Sequence, residues 1–307
     1  MRERDPLSAL SLVLRSVDAV RNTRALFALL LTFAAAGLLV AMAEASLAHA
    51  TGWWGPVQAG AALFVAFYGG NAAGILVMDD ARGRPVRDVP AALRAALGSA
   101  HRLLLALAIV VGVLALGAAL LLGLFWLSRV SVSGALIGPL LFGLAVPVGV
   151  LAVGLAALSL VAVVVPLAAP AVWSGASVRQ VVTDLGRLIR HRLLSVLLMA
   201  VVSLLTAGMG AIVSAVVMVG GRAIAELGVR VVGVDVPAQQ LMAGLFGHGL
   251  RSLGAVGAPT GSTGHAGAAL VGGGIVFALA LLLPGLIYLC GTCAVYLALT
   301  DDAPAQA

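Results

Sequence analysis

Lysine is absent from this chain, and all 18 of its basic side chains are arginine. That excludes lysine nucleophiles, Ser-Lys dyads and the phosphate loop that ends in lysine. Charge of either sign is scarce, at 10% of 307 residues against about 25% in a soluble domain. Water cannot be the solvent for most of this surface. Aromatics make up 5%, and there are two cysteines, Cys290 and Cys293, both inside an apolar run. A secreted disulfide framework is therefore excluded. The five histidines do not group, and neither His-Glu-x-x-His nor Gly-x-Ser-x-Gly occurs. No catalytic residue, metal ligand or cofactor is expected.

What the chain has is apolar and small: 62% hydrophobic residues, 38 glycines and a mean hydropathy of +1.14. Small side chains suit close helix contacts in lipid, where the hydrophobic effect drives little association between helices. Six runs are long enough to span a bilayer, at 25–47, 57–78, 103–127, 134–170, 193–221 and 267–299. The fourth carries Pro139, Pro147, Pro166 and Pro170, and reads either as one kinked helix or as two short ones. Residues 1–24, the apolar stretch 25–43 and Ala48-His49-Ala50 have the layout of an export signal. The leading region is long and amphipathic, so a first transmembrane helix is the better reading.

Arginine placement sets the expected orientation, because cytoplasmic flanks collect it. With six spans, fourteen arginines fall on one side, in clusters at 2–24, 82–102 and 179–192. Only Arg129, Arg222, Arg230 and Arg251 fall on the other. Both termini are thus expected inside. The sequence pI near 10.6 is then explained by anionic headgroups rather than nucleic acid, since the arginines flank apolar spans. Arg15, Arg21, Arg24, Arg94, Arg102, Arg187, Arg190 and Arg192 are the expected headgroup contacts.

Each arginine cluster reads as an amphipathic helix leading into a span. The first opens at Asp5-Pro6 and continues through Leu7, Leu10, Leu14 and Val17. The second runs from Asp88 to His101-Arg102-Leu103-Leu104, and the third from Ser177 to His191-Arg192-Leu193-Leu194. The shared His-Arg-Leu-Leu is a repeat signal. Gly69 through Ala81 also matches Gly291 through Ala303 at a constant offset of 222. The expected fold is an all-α membrane domain of three units, about 1–82, 83–175 and 176–307, each an interfacial helix followed by a helical hairpin.

Val165-Pro166-Leu167 through Ser177-Val178, running into Asp184-Leu185-Gly186-Arg187, and Met78-Asp79-Asp80 through Arg87-Asp88 carry a family likeness. In them the chain resembles bacterial six-span proteins such as the membrane domain of some glycerophosphodiester phosphodiesterases and the YciC-like group. The resemblance implies an architecture and no catalytic residues.

Segment 223–266 is the longest external connection. Asp235 and Pro237 open an expected amphipathic helix reaching Leu250, and Gly254–Gly264 reads as a linker. Inside the spans, Asn71 is the clearest polar group, a helix clamp or part of a solute path. Gly70 and Gly74 beside it have the spacing of a close helix pair. Glu44 attracts a cation, pairs with Arg129 or Arg222, or is a solvated helix end, the last being the better reading. Cys290 and Cys293 share a helix face and read as packing or as a dithiol. The run Gly272–Gly274 with Pro284-Gly285 reads as a hinge or as close packing.

These features together favour a non-enzymatic, multi-pass protein of a bacterial inner membrane. It would be a subunit or organiser packed with partner proteins, or with copies of itself, and with anionic lipid. A transporter or channel for a small or amphiphilic solute is the alternative.

Overall fold

A computed structural model describes residues 6–48, 52–128, 137–190, 192–228, 231, 233 and 264–300. The described residues contain no strand. Helix α1 spans Pro6–Leu14 and passes through a tight 3-10 segment, Arg15–Arg21, into α2, Thr23–Ala48. Then come α3 (Trp54–Ala81), α4 (Val89–Leu127), α5 (Ile137–Ser159), α6 (Val165–Trp173), α7 (Val178–Arg190), α8 (Arg192–Leu227) and α9 (Gly264–Thr300). Among the described residues, six helices are long and apolar enough to cross a membrane. The segment 234–263, with its expected amphipathic helix, lies outside the described residues.

The proline-rich fourth span is a single helical course. Five residues, Leu160–Val164, widen into a π turn between α5 and α6. Pro166 has no N–H to donate and its ring crowds the carbonyl four residues back, so the wider turn absorbs the misfit without ending the helix. Helix α9 likewise continues through Pro284.

The second leading helix differs from the first. No break separates it from its span, and α4 runs unbroken for 39 residues, about 58 Å at 1.5 Å per residue. That exceeds a hydrocarbon core of about 30 Å, so α4 carries Arg94 and Arg102 on the same rod as the apolar span. Between Pro90 and Leu103 the sequence offers only Gly98, Ser99 and His101 as weak helix formers, too little to end a helix. Asn22, by contrast, ends the α1 segment by capping α2: its Oδ1 accepts from the Ala25 amide at 3.0 Å.

Helices α3 and α9 are the central pair, each with half of its apolar window buried. Helix α9 touches α1, α2, α3, α6 and α8. Packing is concentrated at the arginine-bearing end. Helix α4 buries Ala92, Ala96, Ala100, Leu103 and Ala106 along one stripe and nothing from there to Leu127. Glycines allow the closest approaches: Gly69 lies against Thr32, Gly74 against the ring of Trp173 and Gly291 against Val202. Gly70, half of the expected pair with Gly74, faces open space instead. Gly69 and Gly74 face different helices, α2 and α6, so the two close approaches on α3 are separate contacts.

Two helices stop in the same way. The amides of Gly83 and Arg84 donate to the carbonyls of Asp80 and Asp79, both at 2.9 Å. Those of Gly175 and Ala176 donate to Val172 and Ala171, at 2.9 and 3.3 Å. Gly83 has φ +65° and Gly175 φ +96°, the left-handed turn that satisfies the last helical carbonyls. Replacing either glycine by alanine is expected to cost about 1 kcal/mol, read as a lowered unfolding midpoint in detergent.

Candidate functional site

The two glycine turns bring the ends of α3 and α6 together, and polar groups tie them there. Arg82 Nη1 donates to the Ser174 carbonyl at 3.0 Å. Further into the bundle, Trp173 Nε1 donates to Asn71 Oδ1 at 2.8 Å, and Asn71 Nδ2 donates to the Phe67 carbonyl at 2.8 Å. Both side chains are buried, Trp173 at 9% exposure and Asn71 at 6%. A buried amide and indole satisfy each other only if the helices hold this register.

A second knot joins the start of α2 to the end of α3. Asn22 Nδ2 donates to the Leu76 carbonyl at 3.5 Å and to Asp80 Oδ2 at 3.2 Å. Arg24 Nη1 reaches the carbonyls of Val86 and Arg87 and stands 3.3 Å from Asp88. The Asp79 carboxylate, 5% exposed, meets the Arg87 guanidinium on two sides. Nη2 donates to Oδ1 at 3.2 Å, while Nε comes within 2.9 Å of Oδ2 off the hydrogen-bond line. The loop 83–88 is thus anchored from both neighbouring helices.

Beside these ties lies a polar recess of about 650 Å3, lined by Arg82 and Arg84 from the α3 turn, Ser174 and Gly175 from the α6 turn, and Tyr296 from α9. The remaining wall is α7, through Gln180, Thr183, Asp184 and Arg187. That spacing is one face of a helix, and the opposite face buries Val181, Leu185 and Leu188. Helix α7 starts with a capping box: Gln180 Oε1 accepts from the Ser177 amide at 2.8 Å, and the Ser177 hydroxyl accepts from the Gln180 amide at 3.4 Å.

The expected headgroup residues are not gathered in one place. Arg15 and Arg21 are exposed on the 3-10 segment, Arg94 is exposed on α4 and Arg102 is half-buried there. Arg24 engages the 83–88 loop, and Arg187 reaches the recess. The side chains of Arg190, Arg192 and Glu44 lie outside the described residues. Cys293 is buried and Cys290 packs against the same core, both as free thiols.

No family model, curated protein or solved structure matches the chain. The site is therefore read from its own geometry. Sequence reasoning missed the roles of Asn22, Trp173, Arg82 and Arg84. Asn22-Thr23 before an apolar run is a legible cap signal. Nothing in the spacing pairs Trp173 with Asn71, 102 residues away.

Proposed function

We propose that the protein is a non-enzymatic, multi-pass organiser of a bacterial inner membrane, holding partner proteins and anionic lipid around a rigid bundle. The observation that carries this reading is where the polar groups go. Asn71, Trp173, Asn22, Asp79, Arg24 and Arg82 all bond helix to helix or helix to loop at the arginine-bearing end. A solute path needs such groups facing a wet passage. Asn71 instead shares its amide between the indole of Trp173 and its own helix.

In this reading the arginine-rich end is cytoplasmic and both termini are inside, in keeping with arginine's preference for that side. The three-unit repeat draws support from the matched glycine turns after α3 and α6. The likeness to the phosphodiesterase membrane domain and YciC-like proteins belongs to the same reading. Each arginine near an anionic surface adds about 1 kcal/mol, so the cluster is enough to orient the bundle.

The test is purification in mild detergent with identification of what travels with the protein, alongside flux assays in liposomes. Reproducible recovery of partner proteins and anionic lipid, with no flux of ions or small solutes, is expected. Solute flux that Asn71→Ala abolishes would instead establish the transporter reading. Repeated isolation of the chain without a partner would remove the organiser role.

A further inference from the structure

We propose that the recess between the α3 turn, the α6 turn and α7 is a binding site for a phosphate group, carried by a lipid headgroup or by a free phosphate ester. This deepens the anionic-lipid part of the proposed function and rests on it only in placing the recess at an anionic surface. Three guanidinium groups, Arg82, Arg84 and Arg187, line one concavity, and among the described residues one carboxylate, Asp184, lies with them. An excess of guanidinium over carboxylate along this lining suits a phosphate monoester, which carries about −1.5 to −2 near neutral pH. Arginine forks are the side chains best shaped for phosphate oxygens.

The site is built rather than accidental. Both turns are locked by glycines in the left-handed region, and Arg82 is held by the Ser174 carbonyl. The apolar face of α7 is sunk in the core, which turns its polar face toward the recess. Asp184 stands 3.7 Å from Arg187, one turn away on the same helix, and steadies that guanidinium. Gln180 uses its Oε1 on Ser177, leaving its Nε2 amide as a donor. Arg84 makes no ion pair among the described residues. A recess of this volume lies within the range of about 300–1,000 Å3 typical of small-molecule sites, larger than phosphate alone and suited to its glycerol or sugar neighbour.

The experiment uses the full chain in nonionic detergent, titrated with phosphatidic acid in one arm and glycerol 3-phosphate in the other. The recess variant is Arg84→Gln/Arg187→Gln. Arg84 is exposed and Arg187 is 79% exposed, so folding should survive. The control is Arg222→Gln, an exposed arginine near the far end of α8 and outside the expected headgroup contacts. The expected result is saturable binding of at least one probe, weakened about tenfold or more in the recess variant, as the loss of a charge-assisted hydrogen bond requires, and unchanged in the control. Binding of phosphatidic acid alone identifies a lipid site, and binding of both probes a site for the phosphate ester itself. Equal weakening in both variants, or no saturable binding of either probe, overturns the proposal. Anionic lipid that still co-purifies with the recess variant would sink the site while leaving the organiser reading intact.

Discussion

Gly74→Val is expected to weaken the bundle strongly. A Cβ built at Gly74 would lie 2.3 Å from Cε2 and Cζ2 of Trp173 and 2.5 Å from Cη2. The indole cannot step aside, because it is buried and its Nε1 is bonded to Asn71 at 2.8 Å. Either the helices separate or that hydrogen bond breaks. Overpacking of this kind costs about 1–3 kcal/mol, and a buried donor and acceptor left unsatisfied add about 1–3 kcal/mol each. A loss of about 3 kcal/mol or more should appear in a denaturant titration in mixed micelles. Gly70→Ala is the control, since nothing stands within 4 Å of a Cβ added there. If the two variants unfold alike, the close contact of α3 with Trp173 does not hold the fold.

Arg87→Ala is expected to be the next most damaging change, at about 2 kcal/mol. Asp79 is 5% exposed and Arg87 42%, so the pair lies between a fully buried one, whose disruption costs about 3–5 kcal/mol, and an exposed one worth under about 1 kcal/mol. Most of the loss comes from the carboxylate left behind in the protein. The double variant Arg87→Ala/Asp79→Asn should therefore recover much of the stability, since it removes the stranded charge. Without such recovery, the cost would belong to the loop 83–88 itself, which Arg24 also holds.

The site was legible in parts. Asp79-Asp80 followed by Ala81-Arg82-Gly83 is a local helix-end signal, because glycine without a Cβ favours the left-handed cap. The Ser177-x-x-Gln180 box and the apolar stripe of α7 were equally local. Arg82 and Arg84 were counted only as topology markers. Their meeting with Arg187 depends on two turns and a third helix converging, which no spacing along the chain encodes. The same applies to Gly69, Gly70 and Gly74: the run offers several small residues, and only the crossing helices select which are needed.

By itself the sequence determined six apolar spans, since bilayer thickness and backbone hydrogen bonding leave a long apolar run few other options. It also determined where the arginines gather along the chain. Tertiary structure decided that the fourth span stays whole, because a π turn can absorb Pro166, and that α4 carries its leading helix without a break. It decided as well that Asn71 is answered by Trp173, and that three arginines line one polar recess. Those outcomes depend on side chains distant in sequence competing for one space, where packing and hydrogen-bond satisfaction choose the partner and local propensity does not.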